Sequence, residues 1–580
     1  MNTPALVALI AIALVGLVSS VIGTFGVRVA RSTSDFVVAS RTVGTVSNAS
    51  AISGEYLSAA SFLGMVGLIL REGADGLWYP VAFAAGFLAL LLFVAAPMRR
   101  SGAYTVPDFA EVRLGSVGLR RLCTGLVLII GWLYLLPQLQ GAGLALTALT
   151  PLPAWTGVVA AGVVVLLTLI GGGMRSVTFV QAFQYWLKLT AMAVPAVVVL
   201  GLFLSEAHTF DRPSAPAFPA DTTVAVRVDV LLEVAEPIRF QAAGELDGRS
   251  VQGPVEWAPG RHEVRQGATL TFVAGSPVPT VAGTPATDRS WLEPLSGDDG
   301  EQLLEIYSIL LAAALGTMGL PHVLVRFYSN PDGRAARRTA VLVLAMVGGF
   351  FVLVSVVGAL SRLYTPQLLV NGQSDAAVLL VPTNALGSGW LGWLLGGLVA
   401  AGAGAAFLST TSGLVVSLAG VLFTDVLPGP LRHLRLAAVL ALLPPFALAL
   451  TVPRLDFAVS VPMVLAVAAS TFCPLLILGI WWRGLTARGA VAGVLVGGGV
   501  CLASIGYSMA ATVPAGWLGV LLYRPAAVTV PLAFAVMVVV SRWFSSGIPP
   551  TTDAALLRLH APERLGLQSR PVDRRPAPPS

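Results

Sequence analysis

Charge is what this chain of 580 residues has least of. Asp, Glu, Lys and Arg make up 11% of it, against roughly 25% in ordinary soluble proteins. Lysine is all but missing: of 35 basic residues, only Lys188 is not arginine. So little charge excludes a cytosolic enzyme and a nucleic-acid-binding surface, which need a solvated polar exterior. Cysteine is equally scarce. Cys123, Cys473 and Cys501 sit in apolar stretches without metal-ligand spacing, and three thiols cannot close a disulfide framework. They read as small buried hydrophobes. His208 and His262 have no ligand spacing either, and no nucleophile–base pair falls in the apolar segments. No catalytic or cofactor-binding residue is therefore assigned, and an enzyme is not expected. What fills the chain is apolar: 56% of the residues, with a mean hydropathy of +0.82. Its solvent is lipid, and the net charge of +6 has to be read by position.

A bilayer core takes about 20 apolar residues per helix. That length predicts spans at 4–27, 43–70, 76–98, 119–149, 154–173, 177–204, 303–328, 338–362, 388–426, 433–453, 456–481, 487–509 and 526–545, thirteen in all, with 388–426 taken as one tilted helix. With the N-terminus outside, 23 arginines fall in inner loops and the C-terminal tail, and four (Arg71, Arg362, Arg454 and Arg524) in short outer loops. The positive-inside rule thus puts the N-terminus out and the C-terminus in. The Arg-for-Lys, Ala, Gly and Val bias points to a GC-rich bacterial source, hence a multi-pass protein of the bacterial cytoplasmic membrane. No basic residue precedes the first span and no small-x-small site closes it, which disfavours a cleaved signal peptide.

Residues 205–302 break the pattern with 15 acids against 7 arginines. This acidic extracytoplasmic insert reads either as a small β-rich domain, with strands in Thr222–Val234 and Ala268–Val273 and turns such as Asp247-Gly248, or as a disordered loop. The domains are then 1–204 (helices 1 to 6, first repeat about 43–204), 205–302, 303–545 (helices 7 to 13, second repeat about 303–481) and a disordered Pro-rich cytoplasmic tail, 546–580.

Two spans are not plain. The second carries Ser53-Gly54-Glu55-Tyr56-Leu57-Ser58-Ala59-Ala60-Ser61, and the seventh Gly316-Thr317-Met318-Gly319-Leu320-Pro321-His322. Small residues such as these also permit close helix packing in membranes. An interrupted helix at matching positions in two oppositely oriented five-span units is the mark of an inverted-repeat transporter. The fold class is all-α integral membrane, with a 5+5 inverted-repeat, LeuT-like core. In the ninth span, Ser409-Thr410-Thr411-Ser412 place hydroxyls all round the helix. A helical hydroxyl can bond the carbonyl one turn back, but two beside unwound carbonyls also suit a hard cation such as Na+.

These residues carry a resemblance. The run Gly54–Gly64, Thr105-Val106-Pro107-Asp108-Phe109, Gly171-Gly172-Gly173-Met174, and Leu315–His322 followed by Arg326-Phe327 resemble the solute:sodium symporter family, in its acetate (monocarboxylate) permease branch. The likeness covers about residues 30–204 and 303–510. It implies a ten-helix core from spans two to eleven with substrate at mid-membrane, and a Na+ site, metal ligands in all, on the carbonyls of Gly54, Leu57 and Ala406 and the hydroxyls of Ser409 and Thr410. Where sugar-carrying relatives have an aspartate, this chain has Gln181, which puts a second sodium in doubt. Acetate-permease-like relatives place a lysine about one turn before Lys188, where this chain has Gln184. An ammonium deep in a membrane is functional by default, or else snorkels inward; both readings stand for Lys188.

A monocarboxylate suits the positive ends of half-helices, so Gly316, Thr317 and Gly319 join Glu55 and Tyr56 as substrate-path candidates. Glu55 bonds a neighbouring helix, is protonated in a dry pocket, or carries a coupling proton. His322 is either structural or a second proton carrier. Trp132, Tyr134, Gln138 and Gln140 either line the path or form an interface belt, and Pro444-Pro445 predicts a kink. The resulting expectation is a symporter importing acetate, propionate or pyruvate with Na+ as the co-transported ion. Its partners are the carboxylate, sodium and the bilayer, with no nucleic acid. The alternatives are H+ coupling through Glu55 or His322, and a transporter-like membrane sensor.

Overall fold

The computed structural model describes residues 3–25, 43–206, 210, 215–226, 228–295, 300–387, 389–429, 431–454, 457–511, 514 and 516–561. Arg28, Arg31 and Arg41, His208, and the Pro-rich tail beyond 561 lie outside the described residues.

An apolar helix, α1 (Thr3–Phe25), is followed by α2 (Thr45–Tyr56). Helix α2 stops at Leu57; the chain resumes as a π turn, Ala60–Gly64, and α3 (Met65–Glu72). Gly73, at φ +62°, turns it through Gly73–Leu77 into α4 (Trp78–Phe93). Short helices α5 (Ala95–Ser101) and α6 (Val106–Leu114) lead to α7 (Val117–Leu149) and α8 (Ala154–Ser205). Beyond the insert, α9 (Asp288–Leu292) precedes a second interrupted pair, α10 (Gly300–Gly319) and α11 (Pro321–Tyr328), which meet at Leu320 in extended backbone. Then come α12 (Gly333–Tyr364), α13 (Gln367–Asn371), α14 (Ala377–Leu386), α15 (Trp390–Asp425), α16 (Leu431–Thr451), α17 (Phe457–Trp481), α18 (Ala487–Ala510), α19 (Trp517–Tyr523), α20 (Ala526–Trp543) and α21 (Thr552–His560).

Among the described residues, eleven helical stretches are long and apolar enough to cross a membrane, and Ala154–Leu169 is a shorter apolar one. Thirteen spans were expected, and the difference lies at two tight reversals. Expected spans 43–70 and 76–98 merge into one stretch, Ala60–Phe93, because a single 3-10 turn joins them. The chain nonetheless doubles back there, since Tyr56 packs edge-on against Phe83 and Phe87, with ring centres 5.8 and 4.3 Å apart. Expected spans 154–173 and 177–204 likewise run together as α8. A straight helix of 52 residues would reach about 78 Å, far beyond a bilayer. Its packing on α1 shows the reversal. Val164 lies against Gly16 and Thr168 against Gly23, whereas Ser176 donates to the Gly23 carbonyl and Gln184 to Ser19. Ascending residues therefore approach Gly23 in the first half and leave it in the second.

Helix α15 is the buried axis. Its most apolar window is wholly enclosed by protein, and glycines let neighbours close in, with Ala191 and Phe62 filling the space beside Gly402.

Between α8 and α9 stands a seven-stranded antiparallel sheet: β1 (Thr222–Ala225), β2 (Val230–Val234), β3 (Ile238–Leu246), β4 (Arg249–Trp257), β5 (Gly260–Val264), β6 (Thr269–Phe272) and β7 (Thr280–Val281). The strand order is β1-β6-β3-β5-β2-β7, with β4 beside β3. Asp247 and Gly248, at φ +49° and +72°, form the β3–β4 hairpin turn. Phe218, Phe240, Trp257 and Phe272 stack into its core. Helix α9 clamps this domain to the α3–α4 reversal. Trp291 Nε1 donates to the carbonyls of Ile69 (3.0 Å) and Leu70 (2.9 Å), and Arg362 lies over the Trp291 ring while pairing with Asp288 at 3.0 Å.

On the face away from the insert, arginines satisfy helix C-termini that lipid would leave bare. Arg99 donates to the carbonyls of Asn330 and Pro331, and Arg113 to those of Gly479 and Trp482. Arg120 holds Asp108, Glu111 and Asp425 together. The stretch 546–580, expected to be disordered, departs from that in α21. This helix docks where Arg113 donates to Thr552 and His560 Nε2 lies 2.9 Å from the Ile480 carbonyl. Its anchors are a guanidinium of α6 and a backbone carbonyl of α17, both distant in sequence, which no local composition announces.

Trp291→Ala removes both indole bonds and leaves a cavity against α3. By the usual cost of large-to-small changes it should destabilise the protein by about 3–5 kcal/mol, read as a lower Tm of the purified protein in detergent.

Candidate cation and carboxylate site

Helix α2 stops because Leu57 leaves the helical region at ψ +78°, and its N–H still bonds Ser53. The carbonyls of Gly54 and Leu57 then face a neighbour instead of the next turn. That neighbour is Lys188, which is fully buried. Its Nζ donates to the Gly54 carbonyl, to the Leu57 carbonyl at 2.6 Å and to Ser409 Oγ at 2.9 Å. These are three of the five groups expected to hold Na+. Of the other two, the Ala406 carbonyl accepts from Ser409 Oγ at 3.1 Å, and Thr410 Oγ1 donates to the Glu55 carbonyl at 2.6 Å. The ammonium therefore does not snorkel to an interface. A second cation about 4 Å away would meet a repulsion of about 4 kcal/mol at an effective dielectric of about 20.

A second network lies behind it. Glu55 Oε2 pairs with Arg326 Nε at 2.7 Å, both side chains being buried. Arg326 also donates to Thr178 Oγ1 at 2.9 Å and to the Gln181 side-chain carbonyl. The Gln181 amide donates to the Ser409 carbonyl at 2.7 Å. Glu55 thus bonds a neighbouring helix, and its carboxylate fills the notch at Gly413, where a Cβ would strike it. Gly54 has its own reason to be glycine: a Cβ there would collide with the Gln181 backbone carbonyl.

The two interrupted helices meet through Tyr56, whose hydroxyl lies 2.9 Å from Thr317 Oγ1. Gly316 and Gly319 face away from this junction. They press on the Leu465 and Ala468 carbonyls of α17, so their smallness serves close helix packing. On the other side of the first break, Gln138 Oε1 accepts from the Ala59 N–H at 3.0 Å. The Tyr134 hydroxyl, one turn earlier on α7, lies near the Ser58 side chain, and its ring lies 5.3 Å from that of His322. Two buried polar atoms in this cluster, Gln138 Nε2 and His322 Nε2, have no partner among the described residues. Trp132 and Gln140 instead bond carbonyls of Ala441 and Val452 beside α7.

Phe457 packs between Gly64 and Gly141 above the break. Its N–H and Arg454 share Asp375, at 3.4 and 3.0 Å. Cavities of about 370 and 830 Å³ reach this cover from the insert side, and Gln373 and Arg454 line both.

The sequence reading passed over Thr178, and took Gln181 and Arg326 only as family markers. The signal was present: Thr178, Gln181, Gln184 and Lys188 recur at three- and four-residue spacing, a polar stripe on an apolar helix.

Helices broken at a buried polar centre, within a bundle of membrane-spanning helices, define a secondary transporter. The sodium:solute symporter family model matches residues 36–233 and 279–497, and the chain belongs to that family. It is a transporter and not an enzyme. It is 28% identical over 540 residues to the monocarboxylic acid transporter of Corynebacterium glutamicum, covering 88% of this chain and 87% of that one. To the uncharacterized symporter YwcA of Bacillus subtilis it is 27% identical, covering 91% and 92%. Among solved structures, a Na+-coupled sialic acid symporter in a substrate-bound outward-open state superposes with a TM-score of 0.62 at 12% identity, over 94% of this chain and 98% of that one. A nucleobase-cation-symport-1 family transporter gives 0.50 at 14% identity, over 91% and 99%. Both likenesses concern the fold.

Removing one partner of a buried ion pair typically costs about 3–5 kcal/mol. Arg326→Met should lower Tm accordingly, and Glu55→Gln in the same chain should recover part of the loss. Thermal unfolding of the two single variants and the double variant measures the coupling.

Proposed function

We propose that the chain imports small monocarboxylates such as acetate, propionate or pyruvate by alternating access, coupled to a cation that acts where α2 breaks. The observation that carries the carboxylate is the pair of buried side-chain nitrogens, Gln138 Nε2 and His322 Nε2, that have no partner among the described residues. A carboxylate accepts from an N–H on each, and a sugar hydroxyl has no such charge to offer them. Helices α3 and α11 add their positive ends. The name of the Corynebacterium relative supports the same class of cargo.

In this reading the five-plus-five repeat, first about 43–204 and second about 303–481, rocks around the site. The protein lies in a bacterial cytoplasmic membrane with insert and N-terminus outside and the C-terminus inside. The cavities under the insert are the entry path, with Arg454 and Arg71 drawing anions in. Sodium as coupling ion has the support of the family and of the sialic acid symporter. A proton has the support of Lys188, whose ammonium already lies on Gly54, Leu57 and Ser409.

The test is uptake of labelled pyruvate into proteoliposomes, corrected for protein-free vesicles and competed with acetate and propionate. Saturable uptake blocked by both acids is the expected result. Uptake indifferent to every monocarboxylate would refute the cargo. Gln138→Leu leaves the Ala59 N–H and the carboxylate one partner short. By the usual worth of a hydrogen bond to a charged group, about 1.5–3 kcal/mol, it should raise KM roughly tenfold to a hundredfold.

A further inference from the structure

The oxygens expected to bind sodium already hold a cation that belongs to the chain. An ammonium has three N–H donors and no acceptor, and Lys188 places all three, on the Gly54 and Leu57 carbonyls and on Ser409 Oγ. It thereby does what a bound metal ion would do there: it ties the broken end of α2 to α15. The tie comes from α8, whose preceding polar side chain, Gln184, turns instead to Ser19 on α1.

The groups around the amine are few. Glu55, from α2, is paired with Arg326 of α11. Tyr134, from α7, lies near Ser58, and Tyr185, on α8 itself, donates to the Met346 carbonyl of α12. His322 stands beside Tyr134. At this level α15 offers only the hydroxyls of Ser409, Thr410, Thr411 and Ser412, and α1 only Ser19. The charges of α12 and α16, from Arg334, Arg337, Arg338, Arg362, His433 and Arg435, lie near helix ends. No carboxylate contacts the amine among the described residues.

We infer that Lys188 is a tethered cation standing in the place of a cotransported Na+, so that these oxygens take no sodium. The inference stands apart from the monocarboxylate reading.

The test has two arms on the purified full-length protein. In detergent, the Tm of the unaltered protein should be the same in Na+ as in K+. Lys188→Ala vacates the oxygens, and Na+ should then raise Tm by about 2–4 °C. In proteoliposomes, uptake of labelled pyruvate by the unaltered protein should be unchanged when K+ replaces Na+; should Lys188→Ala not fold, the unaltered protein decides the matter. Uptake by the unaltered protein that requires Na+, or a Na+-dependent Tm in the unaltered protein, would each overturn the inference. If no monocarboxylate moves while Na+ stabilises only Lys188→Ala, the cargo reading fails and the tethered cation stands.

Discussion

A helix that stops in mid-membrane leaves carbonyls that lipid cannot satisfy, and the architecture of this protein follows from how they are met. Each unsatisfied backbone group in hydrocarbon costs several kcal/mol, so the break after Tyr56 is tenable only because protein closes around it. Gly54 and Leu57 present their oxygens to Lys188, and Ala59 presents its N–H to Gln138. The same requirement fixes the neighbours. Helix α8 must bring its ammonium to the break, α15 must bring Ser409, and α7 must bring an amide of the right length.

The ammonium does not stand alone in the dry interior. One turn away, the Glu55–Arg326 pair joins α2 to α11, and Gln181 links both to the Ser409 carbonyl. An isolated charge at this depth would be prohibitive, whereas opposite charges that are paired and hydrogen-bonded are tolerable. The two networks share α2, α8 and α15, so a change at one is felt at the other. This is the arrangement a symporter needs. Cargo and coupling ion never have to touch, provided both act on the two ends of one break.

Arginine serves two ends in this chain. In aggregate its distribution is what the positive-inside expectation for the chain's orientation rests on. Individually, Arg99 and Arg113 close the C-termini of α11 and α17, and Arg120 gathers three carboxylates. The guanidinium fork suits several carbonyls at once. At the break itself the chain uses its single lysine, whose compact head fits a site of cation size.

Much of this was legible from residues alone. Apolar lengths marked the spans, small and polar residues within them marked both interruptions, and a run of hydroxyls marked the buried axis α15. These are properties of short stretches, set by local propensity and by what lipid tolerates. Even the polar stripe from Thr178 to Lys188 could have been read by its period. What no local pattern held was the pairing: that Lys188 ends on Gly54, Leu57 and Ser409, that Glu55 is spent on Arg326, that Gly316 and Gly319 serve packing against α17, and that a helix from the tail docks under the bundle. Each joins residues scores to hundreds of positions apart, brought together by helix packing. Sequence determined which groups were available and where the helices had to break. Tertiary structure alone decided which cation meets which oxygen, because an ammonium and a sodium ion ask the same of those carbonyls and only geometry determines which of them is there.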